Sequence, residues 1–214
     1  MKKTILATLV LLALVFAGPA QAGPIYDGAY LFVIHTGVGG GTGGGEFRIE
    51  PANGSVFDPF LSFCVQSNEY LESLTYIYQA GISTYAELEP DSPDNKDPLD
   101  PRTAKIFAGY SGNYGMPGWT ADEKARAVQD AIWYLENEIP LSYLGPNALY
   151  LINEWVGNPT DIGSVRVLNL TWVNDAGQTI YAQDILANVP EPGSMFLLGT
   201  GLVGLAKLAR RRRS

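Results

Sequence analysis

Two uncharged apolar segments lie at the ends of this chain, and they limit which residues can belong to a folded domain. Near the start, the basic residues of Met1-Lys2-Lys3 precede an apolar segment from Ile5 to Ala17. The small residues Ala20 and Ala22 then form the small-x-small pattern that signal peptidase cleaves. This order predicts a secretory signal peptide over residues 1–22 rather than a buried N-terminal helix, because the apolar segment is short and ends in a cleavage site.

The second apolar segment runs from Met195 to Ala206. It is shorter than the roughly 20 residues that a bilayer helix prefers, but it can span where the bilayer thins, so we expect a single short transmembrane helix. The positive-inside rule keeps the basic cluster after it in the cytoplasm and leaves the preceding chain outside. This cluster consists of Arg210, Arg211, Arg212 and Arg213, and the residues that precede the apolar segment include Pro190, Glu191 and Pro192.

The combination of Pro-Glu-Pro, a short apolar helix and an arginine cluster at the C-terminus resembles the PEP-CTERM sorting signal, over residues 189–214. The resemblance implies a Gram-negative exported protein that is processed by signal peptidase and by exosortase. It implies a transient anchor in the inner membrane, removal of the tail near Pro190–Pro192, and delivery to the cell surface or the extracellular (biofilm) matrix. Such a signal gives the destination only, and it leaves residues 23–188 as the exported domain.

Composition excludes several kinds of site. The chain has one cysteine and one histidine, which excludes an internal disulfide, a zinc or iron–sulfur cluster and a multi-histidine metal site. Its net charge of −8 is the wrong sign for a nucleic-acid-binding face. We therefore expect no metal, no cofactor and no nucleic-acid partner.

Residue patterns between the two ends predict an α+β fold, because strands come first, helices follow and strands return. The predicted strands are Tyr30–His35, Glu46–Glu50, Leu61–Gln66, Ser73–Gln79, Ser164–Val173 and Gln178–Leu186. The predicted helices are Thr103–Ala108, Ala121–Glu138 and Asn147–Val156. A glycine-rich stretch, residues 37–45 (the glycine segment), separates the first two strands and predicts a flexible hairpin loop.

The second predicted helix carries a polar residue on its apolar face. Thr120 and Glu123 form a capping box at its start, and an apolar stripe follows at spacings of three and four residues. Gln129 lies within that stripe, which consists of Ala125, Val128, Ile132 and Leu135. A buried carboxamide without partners costs about 1–3 kcal/mol, so Gln129 requires either backbone hydrogen bonds or a covalent bond.

The covalent possibility involves Cys64. A thiolate can attack the Gln129 carboxamide carbon, expel ammonia and leave an internal thioester, provided that both groups are held dry and in contact. The apolar neighbours Phe63 and Val65 could shield such a bond. The thioester would then store an electrophile for a lysine amine or a hydroxyl group on a target.

The sequence from Val128 to Trp133 is similar to the Thr-Gln-x-Ala-Ile-Trp (TQXA) signature of thioester domains in bacterial surface adhesins, with Ala131, Ile132 and Trp133 matching and Val128 standing where the family commonly has threonine. The segment around Cys64 is similar to the family's cysteine segment. The resemblance, over Tyr26 to about Leu186, implies a Cys64–Gln129 thioester. It also implies a β-sandwich-like body with an inserted helical subdomain.

Three functions follow as hypotheses. The first is a surface or matrix protein that attaches covalently, once per molecule, to an amine or hydroxyl of a protein or polysaccharide, and so is not a turnover enzyme. The second is a noncovalent structural or carbohydrate-binding matrix protein, associated with exopolysaccharide, in which Cys64 and Gln129 are core residues. The third is a hydrolase that pairs Cys64 with His35, because a thiolate nucleophile needs a base.

Overall fold

The computed structural model describes residues 23–40, 44–71, 75–87, 95–110 and 118–190. The two terminal predictions, a signal peptide over residues 1–22 and a transmembrane helix within residues 195–206, lie outside these ranges. None of the helices within the described ranges has the length and apolar character that crossing a bilayer requires.

Eight strands and three helices make up the described chain, and the order predicted from the sequence is confirmed. The strands are β1 (Tyr30–His35), β2 (Phe47–Pro51), β3 (Phe60–Ser62), β4 (Tyr78–Ser83), β5 (Tyr85–Glu87), β6 (Lys96–Pro98), β7 (Val165–Val173) and β8 (Thr179–Asn188). The helices are α1 (Pro101–Tyr110), α2 (Ala121–Leu135) and α3 (Pro146–Tyr150), with a 3₁₀ turn at Leu141–Tyr143 and a π-helical turn at Leu151–Trp155. The helices therefore form an insertion between β6 and β7.

Helix α2 begins as the sequence predicts and ends earlier. The Thr120 side chain accepts a hydrogen bond from the Glu123 N–H, and the Glu123 carboxylate accepts one from the Thr120 N–H, which completes the capping box. The helix ends at Leu135 rather than Glu138, because Asn137 adopts a left-handed conformation with φ of 64°. A residue in this conformation just past the last turn is a common helix terminator.

Six strands form one antiparallel sheet in the order β3-β2-β1-β4-β7-β8, and β5 pairs with β6 in a separate small sheet. The segment that follows β3 returns to the opposite edge: Leu186 N–H donates to Phe63 O at 3.1 Å, and Val65 N–H donates to Asp184 O at 2.9 Å. These bonds close the sheet into a barrel. The body is thus a single closed sheet and not the β-sandwich that was expected, since the residues after β3 pair with β8 instead of starting a second sheet.

Closure of the barrel divides the apolar interior in two. The barrel core is formed by the inward-facing strand residues and Cys64; it includes Leu31, Val33, Phe47, Ile49, Tyr78, Leu168, Leu170 and Ile185. The helical core lies between the helices and the outer face of the closing strands; it includes Phe63, Val65, Ile106, Ala125, Val128, Ile132, Leu151, Val167 and Leu186. Successive side chains of a strand point to opposite faces, so residues 63–65 form the seam between the two cores.

Candidate functional site

The seam brings together the two residues on which the thioester hypothesis depends. Gln129 of α2 is 2% exposed and Cys64 is fully buried. The Cys64 N–H donates to Gln129 Oε1 at 3.1 Å, and Gln129 Nε2 donates to Cys64 O at 2.9 Å. The carboxamide thus pairs with the backbone of Cys64 as a neighbouring strand would. The side chain that ends in the thiol branches from the Cα atom between those two backbone groups.

A third backbone group completes the contacts of this carboxamide. The Gly45 N–H donates to Gln129 Oε1 at 3.2 Å, so two backbone N–H groups converge on the same carbonyl oxygen. These contacts distinguish the oxygen of the amide from its nitrogen, because Oε1 faces two N–H donors and Nε2 faces the carbonyl of Cys64. Two N–H groups aimed at one carbonyl oxygen polarise it and would stabilise negative charge on it, as in an oxyanion hole.

Water is excluded from the cysteine. Cys64 is fully buried in the barrel core, and an isolated bridge joins its backbone to Ile185. Burial raises the pKa of the Cys64 thiol well above its usual range, so the residue is a neutral thiol at physiological pH. Any reaction at this sulfur must therefore move the thiol proton as well as form the new bond.

Trp133, the last residue of the motif, contacts both the segment that follows Cys64 and the glycine segment. Its Nε1–H donates to Gln66 O at 3.0 Å, which holds the chain just after Cys64. Its ring packs so closely on Gly44 that a Cβ atom there would lie 2.3 Å from Cη2 of the indole. The remaining motif residues are fully buried in the helical core; they are Val128, Ala131 and Ile132.

The glycine segment joins the antiparallel strands β1 and β2, which confirms the predicted hairpin, and it is also part of the site. Its described residues are 37–40 and 44–45. The Gly39 N–H donates to Asp122 Oδ1 at 2.8 Å, and a Cβ atom at Gly39 would lie 2.4 Å from Cβ of Ala125. The segment therefore packs directly on α2. The run of glycines is the signal that could have revealed this, because residues without a Cβ atom permit close approach of backbone to a helix.

His35 lies at the end of β1 with both ring nitrogens engaged by the glycine segment. The Gly37 N–H donates to Nδ1 at 2.9 Å, and Nε2 lies 3.3 Å from Gly44 O. The ring also packs edge-on against Phe47, with centroids 5.2 Å apart. Within the described ranges His35 makes no hydrogen bond to Cys64, so the geometry does not assemble the cysteine–histidine pair of the hydrolase hypothesis.

Several carboxylates gather where α2 ends. We call this group the acidic end of α2; it consists of Glu69, Asp97, Asp100, Glu136 and Glu138. Burial, with further repulsion from its acidic neighbours, raises the pKa of Glu136 to about 8 and that of Glu69 to about 7. Among the described residues no group of three or more His, Cys, Asp or Glu side chains is arranged to hold a metal ion.

Comparison with known proteins identifies the C-terminal segment. Residues 188–213 match the family model of the PEP-CTERM protein-sorting motif. The C-terminus is a PEP-CTERM sorting signal. Of the residues predicted for it, Pro190 is the last described residue, and Glu191, Pro192 and Arg210–Arg213 lie outside the described ranges. The motif implies an exported protein with a transient membrane anchor that exosortase processes.

Two further comparisons concern the rest of the chain. The N-terminal thioester domain of fibronectin-binding protein SfbI from Streptococcus pyogenes is similar in structure, with a TM-score of 0.44 and 13% sequence identity. The similarity covers 82% of this chain and 100% of that domain. No curated protein matches the chain significantly in sequence.

Proposed function

We propose that this protein is an exosortase-processed surface or matrix protein whose domain forms an internal thioester between Cys64 and Gln129 and uses it to attach covalently to a surface partner. One observation carries the proposal. The Gln129 carboxamide is held in the dry seam by the backbone of Cys64, with two N–H donors on its carbonyl oxygen.

Formation of the bond balances without any further reactant. The Cys64 Sγ atom attacks Cδ of Gln129, and the resulting tetrahedral intermediate carries negative charge on Oε1, where the Cys64 and Gly45 N–H groups stabilise it. The Cδ–Nε2 bond then breaks, and the departing nitrogen leaves as ammonia after taking up the thiol proton. The rate comes from proximity, because the carboxamide is already fixed beside the cysteine.

In the attachment step the sulfur, which was the nucleophile during formation, becomes the leaving group. An amine or hydroxyl of the target attacks Cδ and forms an amide or an ester, while Sγ leaves and regains a proton from the nucleophile. The product keeps the target bonded to Gln129, so each molecule reacts once. This proposal makes the protein a single-use adhesive and not a turnover enzyme.

A noncovalent function is the second candidate, and one observation favours it. Each polar atom of the Gln129 carboxamide already has a backbone hydrogen-bond partner, which accounts for its burial without any chemistry. In that case Cys64 is an apolar core residue, and the protein is a structural or carbohydrate-binding component of an extracellular matrix.

The intact mass of the exported protein separates the two candidates. The thioester predicts a mass lower by one ammonia than the sequence requires, an adduct after treatment with methylamine, and a thiol that resists alkylation until that treatment. The deficit should vanish in Cys64→Ala and Gln129→Ala and persist in the control Gln178→Ala, which alters an exposed glutamine in the β7–β8 turn. Full mass together with an alkylatable Cys64 in the denatured wild type would exclude the thioester.

A further inference from the structure

The peptide group between Gly44 and Gly45 links His35 to the candidate reaction centre. Its carbonyl, Gly44 O, lies 3.3 Å from His35 Nε2, and its N–H, on Gly45, donates to Gln129 Oε1 at 3.2 Å. A peptide group is planar, with the C=O and the N–H pointing in opposite directions when trans. A contact that fixes the carbonyl therefore also fixes the direction of the N–H.

The contacts of His35 define which nitrogen can act on this peptide. Nδ1 accepts a hydrogen bond from the Gly37 N–H at 2.9 Å, so in the neutral ring the proton is on Nε2. The Nε2–H is then the donor to Gly44 O. The edge-on contact with Phe47, the residue paired with His35 across β1 and β2, keeps the ring in this orientation.

The peptide needs such a contact because its own residues constrain it weakly. Gly45 has φ of 114°, a conformation that residues with a Cβ atom rarely adopt. Glycine has the widest choice of backbone conformations, so a Gly-Gly peptide has many alternatives to this orientation. Trp133 provides a wall against Gly44 but no hydrogen bond to this peptide, since its Nε1–H is directed to Gln66 O.

We propose that His35 is a positioning residue for the thioester, acting through the Gly44–Gly45 peptide to hold the Gly45 N–H on the carbonyl oxygen of Gln129. The inference rests on the proposed function. It applies to both formation and opening of the thioester, because the same oxygen carries the negative charge in both tetrahedral intermediates. The hydrogen bond from Nε2 also polarises the peptide and strengthens the Gly45 N–H as a donor.

Two substitutions at position 35 separate the contacts of the ring. Asparagine places a polar group near the position of Nδ1 and is too short to reach Gly44 O, whereas glutamine can place an N–H donor near the position of Nε2. The exported protein is isolated, and two quantities are followed by intact mass: the fraction carrying the ammonia deficit and the rate of opening by methylamine. Removing a direct oxyanion donor costs about 100-fold or more, so for this indirect contact we expect a loss of about 3- to 10-fold in His35→Asn. We expect His35→Gln to recover most of that loss.

Thermal unfolding of the three proteins distinguishes positioning from mere stability. Slow opening or incomplete formation in His35→Asn, with recovery in His35→Gln, supports the proposal. Equal rates in all three proteins overturn it, as does equal impairment of both variants that follows a lowered unfolding midpoint. If the wild type carries the thioester and the variants behave as it does, only this inference is overturned. If the wild type lacks the ammonia deficit, the proposed function is overturned and this inference with it.

Discussion

Helix α2 and the turn that follows it make polar contacts in two places, and the two contacts use different chemistry. At Gln129 a neutral carboxamide meets neutral backbone groups of Cys64 and Gly45. At the acidic end, carboxylates accept the backbone hydrogen bonds instead: Asp100 N–H donates to Glu136 Oε1 at 3.2 Å, and Ser67 N–H donates to Glu138 Oε2 at 2.6 Å.

The two contacts differ in whether they depend on charged groups and therefore on pH. The contact at Gln129 is complete without any charge, so pH does not alter its hydrogen bonds. At the acidic end, Arg102 is engaged by Asp100 at 2.5 Å, and burial, with repulsion from acidic neighbours, raises the pKa values of Glu69, Asp97 and Glu136. Helix α2 and the turn after it therefore carry one contact that is insensitive to pH and a second that is sensitive to it.

The largest effect is expected from placing a charge at the neutral contact. In Gln129→Glu one oxygen faces the Cys64 carbonyl without a proton, so we expect a loss of about 3 kcal/mol or more in the free energy of unfolding at neutral pH. Part of the lost free energy of unfolding should be regained as the pH falls, because a protonated carboxyl group can donate to Cys64 O as the amide does. Denaturant unfolding at two pH values measures both effects.

A matched control is Gln178→Glu, which makes the same substitution at the exposed glutamine of the β7–β8 turn. We expect a change within about 0.5 kcal/mol, since surface charges of this kind contribute little. Equal losses in the two variants would show that the contact at Gln129 has no special requirement for neutrality.

A smaller effect is expected from filling the space at Gly44. The Cβ atom of Gly44→Ala would lie 2.3 Å from Cη2 of Trp133 and 3.0 Å from Cγ of Gln129, so the glycine segment or the indole must move. Overpacking of this kind costs about 1–3 kcal/mol, and it should also reduce the ammonia deficit by displacing the Gly45 N–H. Gly145→Ala is the control, because nothing lies within 4 Å of its Cβ position. An unchanged mass deficit in Gly44→Ala would contradict the role given to this peptide.

The sequence is sufficient to predict the parts of this molecule that local patterns determine. The limits of β1, the capping box of α2 and the order of strands and helices follow from side-chain periodicity and capping, which act over a few residues. Gln129 could be recognised because a polar residue interrupts an apolar stripe. Its pairing with Cys64 came from resemblance to a known motif, since spacing in the sequence does not specify which buried residues meet.

The remaining features depend on contacts between distant parts of the chain. Closure of the barrel requires residues 63–65 to reach β8, and no local pattern distinguishes that pairing from a second sheet. The glycine segment has the composition of a flexible linker, and only the nearness of Ala125 and Trp133 shows why side chains would not fit there. The contact between Gly45 and Gln129 was missed for the same reason, because a backbone N–H leaves no mark in the sequence.

A more modest effect concerns pH and tests the acidic end. The pKa of Glu136 is raised from an ordinary 4.5 to about 8, so the folded protein binds this proton more tightly than the unfolded chain does. The resulting stabilisation is complete below about pH 4.5 and is lost as the pH rises through 8. We expect the free energy of unfolding to fall by about 1–2 kcal/mol between pH 7 and pH 9.

Glu136→Gln isolates the contribution of this carboxyl group, since the amide oxygen can still accept the Asp100 N–H. Unfolding curves of the variant should show a smaller decline over the same pH range, while the ammonia deficit stays constant in both proteins. A decline as steep in Glu136→Gln as in the wild type would assign the pH dependence to other groups.

The smallest effect is expected at Val128, which precedes Gln129 in α2. Val128 is fully buried in the helical core, so the hydroxyl of Val128→Thr can be satisfied locally only by the helix backbone, at the carbonyl of Lys124 one turn earlier. We expect a cost of about 1 kcal/mol or less and an unchanged ammonia deficit, because the Gln129 carboxamide is already oriented by Cys64 and Gly45. Methylamine opening that becomes several-fold faster or slower in Val128→Thr would show that a hydroxyl at this position takes part in orienting the amide, and that the neutral contact of α2 is less complete than its three hydrogen bonds indicate.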